Sequence, residues 1–232
     1  GLFHLAQKEH NISLTDSWIV GDRTADIASA NNFGGYSALV LSGDAGQDYK
    51  YKSRPNIVTL NLYDAVKFIS DHFDRFNKFI TNLSSHIGSK KYILIGGCSR
   101  SGKSTLASLL KTMLSHQSRV SHIVELDQFL FDKRNENTPF SERYDLKQIK
   151  STLSKFAISS AKIYHDIGFD HISNKTINYG ESSLSHDDIV IVEGTILPQI
   201  IDSIDAPYIS IFVDAHKGDR YKRFMHKYQM RD

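Results

Sequence analysis

The chain has 232 residues, room for one large domain or two small ones. A hydrophobic share of 40%, a charged share of 23% and a net charge of +2 exclude the strong basic field that would argue for nucleic acid or a membrane surface, so partners must be read from sites. The single cysteine, Cys98, excludes an intrachain disulfide and predicts a reducing, cytoplasmic setting, and no apolar run approaches the roughly 18 residues of a membrane span.

Gly1 is not an initiator methionine, and Leu2, Phe3, Leu5 and Ala6 already read as the interior of an amphipathic helix ending near His10-Asn11. The sequence is therefore expected to be a piece of a longer one. A strand is predicted at Ser17 to Val20, a helix at Ile27 to Asn32 stopped by Gly34-Gly35, and a second strand at Tyr36 to Leu41. Between the first strand and the helix stand Asp22 and Asp26. Two acids four apart at such a corner can converge on one divalent cation. They can equally serve the helix, Asp22 as cap and Asp26 in its first turn.

Residues 43 to 56 read as loop, with Tyr49 to Lys52 a solvated edge, and Ile57 to Leu60 as a short strand. The stripe Ala65, Val66, Phe68, Ile69, Phe73, Phe76, Phe79 and Ile80 predicts one helix from Leu62 to about Leu83. The polar run Ser84 to Lys91 is the expected domain boundary, which gives domains at 1–83 and 88–232.

Lys90 to Leu110 reads as strand, glycine loop and helix, and Gly97-Cys98-Ser99-Arg100-Ser101-Gly102-Lys103-Ser104 fits G-x-x-x-x-G-K-[ST] without a gap. This is a P-loop. Its backbone N–H groups and the helix opening suit a triphosphate, Lys103 supplies a point charge to the outer phosphates, and the Ser104 hydroxyl suits Mg²⁺. The ATP-binding residues are thus expected at Gly97, Cys98, Ser99, Arg100, Ser101, Gly102, Lys103, Ser104 and Thr105.

Val120 to Leu126 is a predicted strand ending in Asp127, which suits a general base for an acceptor hydroxyl, or a helix cap. Asp188 to Val192 is another, followed by Glu193, whose acid can ligate or position Mg²⁺. Tyr208 to Val213 reads as a further buried strand. Strands alternating with helices predict an α/β fold with a parallel sheet covered on both faces. Arg220, Arg223, Lys227 and Arg231 fall at offsets of 0, 3, 7 and 11, one face of a helix that either clamps phosphates or is simply solvated.

Two resemblances add to this reading. IVGDRTADIASANNFGGYSALVLSG looks like the last motif of the haloacid dehalogenase phosphatases, in the branch of histidinol-phosphate and heptose-bisphosphate phosphatases. It implies a partial Rossmann-like domain in which Asp22 and Asp26 hold Mg²⁺. The nucleophilic aspartate of that family's D-x-D motif and its lysine are absent here. GGCSRSGKST, ELDQF, ERYDLKQI, IVIVEGTIL and IFVDAHKGDRYKRFMHKYQMRD together resemble the uridine kinase and phosphoribulokinase branch of P-loop kinases. That likeness implies ATP-dependent phosphorylation of a nucleoside or sugar hydroxyl, with Asp127 as base and Arg223 and Arg231 near the phosphates. It also implies Tyr144, Asp145 and Tyr164 on the acceptor side, although the stretch around Tyr164 lacks the histidine and arginine spacing of uridine kinases.

The function expected is therefore a small-molecule kinase joined to a sugar-phosphate phosphatase-like domain, with Mg²⁺ and ATP. A polynucleotide end-processing kinase-phosphatase and a non-catalytic ATP-binding module are the alternatives, the former opposed by the near-neutral charge.

Overall fold

The computed structural model describes residues 1–131, 137–157, 162–170 and 175–229. It divides into two compact units, Gly1–His86 with Ser108–Arg119, and Ile87–Ala107 with Val120–Asp232.

The first unit opens with α1 (Leu2–His10), closed by Asn11 in the left-handed region. No residue of α1 is buried. Next come β1 (Trp18–Gly21), α2 (Thr24–Phe33), β2 (Tyr36–Val40) and β3 (Ile57–Thr59), the strands forming a parallel sheet in the order β1-β2-β3. Alternation along β2 sends Tyr36, Ala38 and Val40 to one face, where Ala38 and Val40 join Ile57 and Ala65 in a core flanked by Trp18, Val20 and Phe68. Ser37, on the other face, is fully buried and exchanges hydrogen bonds with Asn56.

The single helix expected over Leu62 to Leu83 is two, α3 (Leu62–Asp71) and α4 (Phe73–Ile87), parted at His72. Phe68 and Phe73 both lie against Trp18, with ring centroids 6.3 and 5.0 Å away. Five residues along a straight helix turn through about 140°, so one helix could not present both rings to the same indole. The break allows it. Helix α4 also runs on into the polar stretch expected as boundary, where the Ser84 and Ser85 hydroxyls turn back onto the Thr81 and Asn82 carbonyls.

The second unit is built on β4 (Tyr92–Gly97) and the first residues of α5 (Lys103–His116), a helix that from Ser108 onward counts with the first unit, followed by β5 (Ser121–Glu125), α6 (Leu146–Ala157), β6 (Lys162–Asp170), β7 (Lys175–Leu184), β8 (Ile189–Glu193), β9 (Tyr208–Val213) and α7 (Lys217–Gln229). Four strands pair in parallel in the order β5-β8-β4-β9. β4, β5 and β8 are buried throughout; the apolar runs of β4 and β8 require it, whereas β5 buries Ser121, His122 and Glu125 beside Ile123 and Val124. The Tyr92 hydroxyl reaches the Leu153 carbonyl at 2.7 Å, and burial pushes its phenol up to about 12.

One expectation is corrected here, and one segment is revealed. Among the described residues β9 is an edge strand rather than a buried one: its residues alternate between exposed and half-buried, and Phe212 is 67% exposed. The segment around Tyr164 is an antiparallel hairpin, β6 with β7, with a register shift at Asp166/Ile167. Its Lys, His, Asp, Asn and Ser residues carry no apolar run to announce a strand.

Candidate active site

The loop between β4 and α5 has the backbone a phosphate cradle requires. Gly97 and Gly102 have φ of 144° and 107°, and Arg100 has φ of 63°. A Cβ on Gly97 would collide with the Val213 carbonyl, whereas one on Gly102 would meet nothing within 4 Å. The two glycines thus serve different needs: close strand packing at Gly97, open space in front of the loop at Gly102. The Ser101 hydroxyl is buried without a hydrogen-bond partner, while Ser99 and Ser104 are exposed and Cys98 and Thr105 half-buried. An open cradle with an orphaned polar atom fits a polar ligand such as a phosphate.

The polar groups around the cradle are bonded to the chain itself. Buried Lys103 donates its Nζ to the Cys98 carbonyl at 3.0 Å. Ser104 Oγ donates to Glu193 Oε1 at 2.7 Å, and Arg223, from α7, donates to the Arg100 carbonyl at 2.9 Å. Arg220 bonds instead to the Ala215 carbonyl just before its own helix. Arg231 and the Lys227 side chain lie outside the described residues.

Parallel pairing of β5 and β8 sets Glu125 opposite Glu193 at the carboxyl ends of their strands. The Glu193 carboxyl is pushed up to about 8, first by burial and then by the charges of Glu125 and Asp127, with Ser104 and Lys103 opposing. Asp127 sits in a 3-10 turn, Leu126–Phe129, and its Oδ1 accepts the Tyr144 hydroxyl at 2.9 Å. Glu125, to which sequence reasoning gave no role, accepts the Phe169 N–H at 2.8 Å and so ties β6 to this strand end. The E-x-D spacing of Glu125 and Asp127 was the available signal. Among the described residues no three His, Cys, Asp or Glu side chains form a metal cage. Ser104 and Glu193 are nonetheless adjacent hard oxygen donors, which fits Mg²⁺, an ion that takes few protein ligands and fills the rest from phosphate and water.

The acceptor-side residues separate. Tyr144 joins Asp127, Asp145 caps α6 by accepting the Gln148 N–H at 2.8 Å, and Tyr164 belongs to the core. The Tyr164 ring packs on His122 and Phe156, and its hydroxyl donates to the Ile123 carbonyl. Tyr164 therefore faces inward, its phenol spent on the backbone of β5.

In the first unit, Asp22 and Asp26 flank the corner between β1 and α2. Asp26 accepts the Arg23 N–H at 3.2 Å in a capping arrangement at the start of α2. Its carboxylate occupies the space a Cβ on Gly21 would need. Asp22 accepts the Asp44 N–H at 2.8 Å, so it orders the loop after β2 rather than capping the helix. Beside them Asp48 takes both the N–H and the hydroxyl of Thr24, and the backbone donor holds its carboxyl below the usual range.

Comparison with known proteins separates along the same sequence. Residues 1–65 match the HAD-hydrolase-like family model. Over 76 residues the chain is 33% identical to D-glycero-D-manno-heptose-1,7-bisphosphate 7-phosphatase from Thermosynechococcus vestitus, a match covering 31% of this chain and 39% of that protein. The chain thus spans well under half the length of this curated relative. Among solved structures, one described as a fructose transport system kinase from Silicibacter sp. TM1040 aligns with a TM-score of 0.51 at 18% identity, covering 66% of this chain and 81% of the other. One described as a uridine kinase from Bacillus stearothermophilus aligns with a TM-score of 0.49 at 18% identity, covering 67% and 91%. The chain is therefore similar in sequence to a HAD-like hydrolase over residues 1–65, and its mixed α/β fold with parallel sheets matches a P-loop kinase structure.

Proposed function

We propose that residues 88–232 are a kinase domain that transfers the γ-phosphoryl group of ATP to a hydroxyl of a nucleoside or sugar, and that residues 1–83 are the C-terminal part of a sugar-phosphate phosphatase-like domain. The observation that carries the reading is the gathering of Lys103, Ser104, Glu193 and Asp127 around a phosphate-shaped loop, with Arg223 already on the loop's own carbonyl. Lys103 exchanges the Cys98 carbonyl for the outer phosphates. Arg223 exchanges the Arg100 carbonyl for the charge that develops on the transferring group. Asp127 takes the proton of the acceptor hydroxyl as the new O–P bond forms. Mg²⁺ held by Ser104 and Glu193 would neutralise phosphate charge. No helix among the described residues is long and apolar enough to cross a membrane.

The test is transfer from γ-labelled Mg-ATP to a panel of nucleosides, sugars and 5′-hydroxyl oligonucleotides. The expected result is one labelled small-molecule product, with Asp127→Asn lowering turnover on the order of 10²- to 10⁴-fold at unchanged ATP affinity. Label on the oligonucleotide alone would favour an end-processing enzyme. Nucleotide binding without transfer to any acceptor would leave a non-catalytic module.

A further inference from the structure

Tyr144 is 5% exposed, and its hydroxyl donates to Asp127 Oδ1 at 2.9 Å. The two side chains sit on segments zipped together from both sides. Leu130 and Tyr144 form an antiparallel bridge, the Phe131 N–H donates to the Arg143 carbonyl at 3.0 Å, and the Asp145 N–H donates to the Phe129 carbonyl at 2.9 Å. The Tyr144 ring packs edge-on against Phe140, with centroids 5.5 Å apart. The phenol therefore reaches Asp127 from a fixed frame.

We infer that Tyr144 is a positioning residue for phosphoryl transfer, its hydroxyl fixing the rotation of the Asp127 carboxylate and leaving its ring outside the acceptor site. The inference rests on Asp127 being the base. A carboxylate rotates easily about its last torsion, and Asp127 stands on a short 3-10 turn that does not by itself fix that torsion. A hydrogen bond from a buried, immobile donor selects one rotation of that carboxylate. Proton transfer is sensitive to such placement, because reacting atoms must already lie in line and within hydrogen-bond reach. Phenylalanine would keep the packing on Phe140 and lose the hydroxyl's bond to Asp127.

A double-mutant cycle on the full chain tests it, with single-turnover cleavage of γ-labelled Mg-ATP as readout and water as the acceptor. Tyr144→Phe is expected to lower the rate on the order of 10-fold with KM for Mg-ATP unchanged, and to have no further effect in an Asp127→Asn background. An equal loss in both backgrounds, or a raised KM at unchanged rate, overturns the inference. If Asp127→Asn is slow while Tyr144→Phe cleaves like the wild type, only this inference falls. If the wild type cleaves nothing, or Asp127→Asn cleaves at its rate, the base assignment fails and takes the inference with it.

Discussion

At the scale of single residues, the cradle separates what a side chain does from what the backbone does. Cys98 gives the loop a carbonyl, which Lys103 occupies, whereas Lys103 gives a buried ammonium charge at the opening of α5. Lys103→Ala is therefore expected to remove most Mg-ATP binding and Cys98→Ala little, measured by calorimetry on folded protein; equal losses would mean that the loop only shapes the fold. The carboxylates of the first unit are differently placed. Asp22 and Asp26 are tied to backbone N–H groups, and residues 1–65 contain no D-x-D aspartate to attack phosphorus. These 232 residues should release no phosphate from a sugar bisphosphate at any Mg²⁺ concentration. Steady release that Asp22→Asn abolishes would contradict this.

At the scale of elements, what the sequence disclosed depended on whether a segment's chemistry is local. The P-loop was legible because its residue types and spacing are the mechanism, and β4 and β8 because burial on both faces leaves unbroken apolar runs. The hairpin of β6 and β7 was not, since most of its side chains are polar. The placement of Tyr164 was hidden for the same reason: its buried hydroxyl meets the carbonyl of Ile123, 41 positions away. The break between α3 and α4 was hidden because it answers to Trp18, not to any residue near His72. That contact can be tested. Phe73 is half-buried and packs edge-on against both Trp18 and Tyr36, so Phe73→Ala should cost about 1–3 kcal/mol in urea unfolding. The chain has one tryptophan, so its emission should shift to the red with that change. Unaltered emission would mean that the ring is not where the break places it.

At the scale of the whole molecule, the buried acid at the site links stability to pH. The Glu193 carboxyl has an ordinary value of 4.5 and a folded value of about 8, so between these the folded chain binds more protons than the unfolded one. Its contribution to stability is full below about 4.5 and is lost as pH rises toward 8. Unfolding midpoints of the unliganded protein should fall across that range, and Glu193→Gln should flatten the fall. Mg²⁺ should restore more at pH 8 than at pH 6, because it displaces the proton. A slope identical in wild type and variant would remove Glu193 as its source. Strand β9 has a consequence of another kind. Among the described residues it pairs only with β4, and its outward Phe212 is 67% exposed, with exposed Tyr221, Phe224 and Met225 on the helix that follows. An open strand edge with apolar side chains recruits further strands, so the protein should be a concentration-sensitive colloid. Light scattering is expected to rise with protein concentration, and Phe212→Lys to suppress the rise by setting like charges face to face. The shelf life of a solution would then depend on how crowded it is.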